Sequence, residues 1–234
     1  MSLFVRCNWL PPQDATLSDR FSEVRRQMTT ITLLSKLGPR WFQLGRSRKD
    51  ALKREVRLEE FHPKQKGCRR VSLGDSGESY WDLSVWNGGP QGEGANLYVW
   101  IRDPSSQLDQ LGISAELDFL RRTMAWSDVL AAARQLSEQL GGYTIVASHE
   151  LIDECKRRGI AHADEAAYAA FWGPDRSGRN PKYRGLATAG RTAPYANVAC
   201  DSWADMSAPD DARLRDIAEN LAGVEAEARE GTTA

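Results

Sequence analysis

The sequence predicts an α+β protein, an antiparallel β-meander packed against several α-helices, built as a single compact domain over residues 1–234. Three observations lead there. Leu17, Phe21, Val24, Met28, Ile31, Leu34 and Leu37 recur at steps of four and three, which draws one apolar stripe down a helix. Between 80 and 119, apolar residues alternate with polar and aromatic ones at the period of two that a half-buried strand requires. Composition is ordinary for a globular chain, with 41% hydrophobic and 27% charged residues.

The elements follow in order. Residues 3–10 have the length of a strand, and Pro11-Pro12 ends it. Residues 14–37 read as one long helix, N-capped by Asp14 and stopped by Gly38-Pro39. An aromatic turn over 40–45 comes next, and Ser47 caps a short basic helix reaching about Arg57. The span 67–77 is glycine-rich and reads as a loop. Strands over 80–87 and 96–102 form a hairpin through the glycine-dense turn 88–94, and a third strand over 113–119 completes the meander. Further along lie a helix over 126–140, a strand over 143–147, helices over 148–158 and 164–172, and a long loop over 173–195. A final helix starts near Ser207 in a capping-box context and runs through Val224, and residues after it fray.

The meander has two unlike faces. Trp81, Leu83, Val85, Leu97, Val99, Ile101, Ile113, Ala115, Leu117 and Phe119 form an aliphatic face that must be core. The opposite face carries Tyr80, Asp82, Ser84, Trp86, Tyr98, Trp100, Ser114, Glu116 and Asp118, a mixture of large aromatics and acids. Either helices cover that face or it contacts a partner. Most of the eight tryptophans are expected in the core.

Charge is near balance overall, at −1, but is unevenly spread. Through Asp75 there are 16 Lys and Arg against 8 Asp and Glu, and the remainder has 15 against 24. Such asymmetry fits either a charged partner or two halves attracting each other within one fold. Arg6 and Asn8 interrupt the apolar run at the N-terminus, unlike a signal peptide, and no segment is long and apolar enough to span a bilayer, so the expected compartment is the cytosol. Cys7, Cys68, Cys155 and Cys200 form no C-x-x-C pair and read as reduced thiols.

Motifs for phosphate-binding loops, zinc helices and nucleophile elbows do not occur. His149 and Asp153, four apart at the start of a helix, are the one pair able to act as a base with its orienting acid, which keeps a small hydrolase open as an alternative. The basic stretch 40–70, with Trp41 and Phe42 available for stacking, keeps nucleic-acid binding open, although Asp50, Glu55, Glu59 and Glu60 interrupt the positive track.

A helix ending in Leu37-Gly38-Pro39, then Trp41-Phe42 and Gly45, then Ser47 with Ala51-Leu52, and a strand ending in Val85-Trp86-Asn87-Gly88 occur in that order. The arrangement resembles the Immunity protein 52 family, over 14–102 of this chain; residues 103–228 are a helix-rich remainder and 229–234 a tail. Members of that family accompany nuclease toxins of the restriction-endonuclease type in bacterial polymorphic and type VI secretion systems. The resemblance implies an α+β cytosolic inhibitor that binds the toxin in a stoichiometric complex and catalyses nothing. It implies no cofactor, no metal, no membrane and no direct nucleic-acid contact. On this reading Asp82, Trp86, Trp100, Glu116 and Asp118 are the candidate contacts, with carboxylates meeting a nuclease's basic groove.

Overall fold

The computed structural model describes residues 1–222 apart from 46, 66, 73–77, 91–92 and 104–106. The first strand, β1 (Ser2–Trp9), lies in the middle of a ten-stranded sheet, between β7 (Asp109–Glu116) and β8 (Tyr143–Ser148). This central place fits its near-continuous apolar run, because a strand with neighbours on both edges is covered on both faces. The expected meander is present as β5 (Ser79–Trp86), β6 (Ala95–Asp103) and β7, each antiparallel to the next. Beyond β5 come β2 (Trp41–Gln43) and β3 (Glu55–Val56), with β4 (Cys68–Ser72) pairing further along the same edge of β5. Beyond β8 come β9 (Ala169–Trp172) and β10 (Tyr195–Val198).

Several elements differ from the sequence expectation. The long helix is two, α1 (Leu17–Thr30) and α2 (Thr32–Leu37), broken where Ile31 takes an extended conformation with ψ 112°. Thr16 and not Asp14 caps α1: its hydroxyl accepts from the Asp19 amide while Asp19 accepts from the Thr16 amide, a reciprocal capping box. The aromatic turn at 40–45 is strand β2. The basic helix is a single turn, α3 (Arg48–Ala51), after which the chain extends into β3. Part of the glycine-rich span is β4; its residues 73–77 lie outside the described residues.

The third meander strand ends at Glu116, and Leu117–Thr123 is a helix, α4. The helices α5 (Trp126–Leu140) and α6 (His149–Arg157) are as expected. Residues expected as a helix over 164–172 form a short 3₁₀ turn and then β9, whose run Ala-Ala-Phe-Trp is too apolar to tell strand from helix by periodicity. The long loop contains α7 (Lys182–Thr188), and the last helix, α8 (Asp211–Ala222), starts four residues later than Ser207. The tail expected to fray lies outside the described residues.

The aliphatic face of the meander is core: Leu83, Val85, Leu97, Val99, Ile101, Ile113 and Ala115 are buried in one cluster with Leu3, Val5 and Cys7 of β1. Helices α1, α2 and α5 cover this inner face. Phe21 of α1 stacks against Phe61 and meets the Trp81 ring edge-on at 6.0 Å. Arg20 enters the same layer and donates through Nε to Asp109 at 2.9 Å, while the Arg102 amide donates to the other carboxylate oxygen at 2.9 Å. That pair ties α1 to the start of β7 across 89 residues of chain.

The outer face divides in two. Over β8, β9 and β10 it is buried, with Ile145, Ala147, Ala170 and Trp172 all inaccessible. There the Tyr183 hydroxyl of α7 donates toward the Gly142 and Gly173 carbonyls, and Asn197 of β10 donates to Asp216 of α8. Over β5, β6 and β7 no such cover is found among the described residues, and the aromatic face remains open.

The uneven charge is resolved largely inside the fold. Arg20–Asp109, Lys36–Asp128, Arg69–Asp82 and Arg70–Asp103 each join a cation of the basic first part to a carboxylate of the acidic remainder. No described helix is long and apolar enough to cross a membrane.

Candidate protein-docking face

Direct cross-strand partners share a face of a sheet. The outer face therefore reads Phe42, then Trp86, Ser84, Asp82 and Tyr80, then Asn96, Tyr98, Trp100 and Arg102, then Ser114, Gly112 and Gln110, across β2, β5, β6 and β7. Its centre is aromatic. The Trp100 ring lies 5.8 Å from Tyr80 and 5.5 Å from Tyr98, and Trp86 lies 6.4 Å from Phe42. Leu44, just past β2 and 56% exposed, stands over the same region.

Two adjoining clefts share Leu44 and Asn96. One, about 300 Å³, is lined by Ser84, Tyr98 and Trp100; the other, about 430 Å³, by Trp86, Arg48 and Glu116. The first is almost wholly apolar in character. Large rings and an exposed leucine on a half-open sheet are the composition of a contact surface.

Gly112 makes room for the Tyr98 ring on this face. Its cross-strand partner is Tyr98, and a Cβ at Gly112 would stand 2.0 Å from Tyr98 Cζ. The ring thus occupies the space a side chain would take, covering the bare glycine backbone. Burial pushes the Tyr98 phenol up, opposed by the nearby Arg6 charge and a hydrogen bond with Gln110.

The candidate contacts from sequence divide accordingly. Trp86 and Trp100 are on the open face, half-exposed. Asp82 faces the same way but is only 5% exposed. It accepts from Arg69 Nε at 2.9 Å, from Trp100 Nε1 at 3.0 Å and from Ser84 Oγ at 3.0 Å, so its carboxylate organises the face from within and is not offered to a partner. Glu116 ends β7 beside Arg48 in the larger cleft, but it accepts from Ser2 Oγ and lies 4.0 Å from the N-terminal ammonium. Asp118 is not on the sheet: the chain has turned into α4, where it is exposed on the helix. Of the expected mixture of aromatics and acids, the aromatics stand on the open face, while the acids are internally paired or displaced from it.

His149 and Asp153 both lie exposed on α6, with no hydrogen bond joining them; the His149 ring packs 5.5 Å from Phe4. Among the described residues no group of three or more His, Cys, Asp and Glu is placed to hold a metal. In the basic stretch, Arg40, Arg54, Arg57, Arg69 and Arg70 each pair with a carboxylate within 4.0 Å.

Sequence reasoning missed Leu44, Gly112 and Arg6. A glycine in the middle of Leu111-Gly112-Ile113 was the available signal, because glycine inside a strand marks a close approach.

The residues that carry the family resemblance pack at one corner. Asn87 donates through Nδ2 to the Leu37 carbonyl at 2.8 Å and accepts at Oδ1 from the amides of Gly89 and Ala95. A single side chain thus ties the end of α2 to both sides of the turn after β5. Gly88, at φ +79°, sits so close to Phe42 that a Cβ would stand 2.7 Å from its ring. The corner holds Trp86 and Leu44 at the rim of the docking face. Comparison with models of known families and with characterised proteins gives no match to the chain.

Proposed function

We propose that this protein works by docking the open outer face of its sheet on a partner protein, as an immunity protein that neutralises a nuclease-type toxin in a stoichiometric complex. The observation that carries the reading is the half-buried aromatic surface of Trp86, Tyr98 and Trp100 with the exposed Leu44, over which no helix lies among the described residues. Rigid aromatic anchors lose little entropy on binding and dominate the energetics of interfaces. The Leu37 to Gly88 corner, whose residue order resembles the Immunity protein 52 family, supports the toxin-directed form of this reading. Inhibition by this face relies on shape and apolar burial, with charge in a secondary role, because Asp82 is committed to Arg69 and Trp100.

The test is co-expression with the toxin encoded beside its gene. A one-to-one complex and cell survival are expected, and both should be lost with Leu44→Glu or Trp100→Ala in a protein that still folds. Survival and complex formation unchanged by those substitutions would move the contact surface elsewhere, and a toxin that neither binds nor is silenced would end the immunity reading.

A further inference from the structure

β1 runs up the centre of the sheet and presents Phe4, Arg6 and Asn8 to the outer face, next to the aromatic patch. The side neighbours of Arg6 are Gly112 in β7 and Ile145 in β8, neither of which offers an acceptor. Arg6 is half-buried, its Nε is out of reach of solvent with no hydrogen-bond partner, and its guanidinium carbon lies 5.4 Å from the Phe4 ring. Among the described residues, every other Lys or Arg that is not exposed donates to a protein oxygen: Arg20 to Asp109, Arg54 to Asp50, Arg102 to Gln107 and Lys182 to Glu165. Arg6 is the exception. Two residues on, Asn8 is 8% exposed and its Nδ2 also lacks a partner.

Buried donors left unmade are rare, because each forgoes its hydration without recompense. A guanidinium among Phe4, Tyr98 and Ile145 gains most from a planar two-oxygen acceptor, which its fork geometry matches. Of the acids on this side, Asp82 is taken by Arg69 and Glu116 shares the N-terminal ammonium with Glu150, and neither pairs with Arg6. Phosphate of a nucleic acid is the less fitting acceptor, since it needs a track of cations and Arg6 stands alone in the middle of a strand.

Resting on the docking reading above, we infer that Arg6 is the receptor for an acidic side chain, Asp or Glu, that the partner protein carries beside an apolar residue seated in the Tyr98–Trp100 cleft. The carboxylate meets the terminal nitrogens of the half-buried guanidinium, the part of Arg6 that is not closed off from solvent.

The test uses the full chain labelled with ¹⁵N and two capped peptides, acetyl-Leu-Glu-Leu-amide and its Gln counterpart. The Arg6 Nε–Hε resonance is assigned by its loss in Arg6→Gln. The Glu peptide should shift that resonance and the Trp100 indole resonance saturably, with affinity about tenfold or more above the Gln peptide. Arg6→Gln, checked for an otherwise native amide spectrum, should abolish the preference, and Arg6→Lys should restore it only in part. Equal binding of the two peptides, no response to either at millimolar concentration, or a larger Arg6 response to a thymidine oligonucleotide than to the Glu peptide would each overturn the assignment. In the toxin complex, loss of binding with Leu44→Glu but none with Arg6→Gln would refute the Arg6 receptor while leaving the docking face standing.

Discussion

Gly112→Ala isolates the packing of Tyr98 against the bare backbone of the outer face. A Cβ built there stands 2.0 Å from Cζ, 2.2 Å from Oη and 2.5 Å from Cε1 of Tyr98. Ordinary carbon contacts are about 3.5–4.0 Å, so the ring must move by roughly 1.5 Å. It has little room to slide, with the Trp100 ring 5.5 Å away on one side, so it lifts off the sheet. If lifting exposes about 50 Å² of the ring, the loss at about 25 cal/mol per Å² is about 1.3 kcal/mol. Overpacking of this kind costs about 1–3 kcal/mol in general, and replacing a strand glycine returns about 0.5–1 kcal/mol of chain entropy. The expected net change is a destabilisation of about 0.5–2 kcal/mol, measured by urea denaturation. The decisive control is Gly112→Ala in a Tyr98→Ala background, where the clash is gone and the same substitution should be neutral or stabilising. A cost of equal size in both backgrounds would show that Tyr98 does not rest on Gly112. In the single variant the Tyr98 phenol, held up by burial, should titrate closer to its ordinary value when followed by NMR of ¹³Cζ-labelled tyrosine.

Asp109→Asn leaves the buried Arg20 guanidinium without its counter-charge and should cost about 3–5 kcal/mol by denaturant unfolding, whereas replacing both residues with apolar ones of similar volume should cost far less. Burial holds Cys7, Cys68 and Cys200 up at about 12 and raises Cys155, so iodoacetamide at pH 8 should label none of the four in the native protein and all of them in denaturant, read by mass spectrometry. Asp128 is held below the usual carboxylate range by its bridge to Lys36 and by the Ala125 amide. Its contribution is therefore complete above the unfolded-state value and lost as pH falls through the folded one. The stability gap between the natural chain and Asp128→Asn should be constant from about pH 7 to 5 and close below about pH 4; a gap that persists at pH 2 would contradict this.

The parts of the fold that were legible from sequence are those where one period dominates. The stripe of α1, the alternation of β5 and β6, and the capped helices α5 and α6 depend on side chains a few residues apart. What failed was set by distant partners. Trp41–Gln43 is too short to show alternation and becomes a strand because Phe42 and Gln43 pair with Trp86 and Val85, more than forty residues on. β9 pairs with β8 and β10 with β9, and a short apolar run such as that of β9 suits either a strand or a buried helix until a partner decides. The break at Ile31 is likewise tertiary, since the stripe continues unbroken through it.

The same distinction governs the site. Alternation placed Trp86 and Trp100 on the outer face, because that requires only parity along a strand. It placed Asp82 there as well, and there parity misled: pointing outward is not the same as being available. Whether a carboxylate is free depends on what stands opposite, and Arg69 and the Trp100 indole stand opposite in neighbouring strands. Arg6 is the mirror case. From sequence it merely interrupts an apolar run, but its cross-strand neighbours are a glycine and an isoleucine, so no acid of this chain meets it. Of the acids that the sequence suggested for binding, Asp82 and Glu116 are paired within the chain and Asp118 has left the sheet, whereas Arg6, half-buried, has no hydrogen-bonding partner among the described residues. A partner chosen for this face therefore brings apolar side chains and a carboxylate to it, the reverse of the basic surface that the acidic excess after Asp75 suggests.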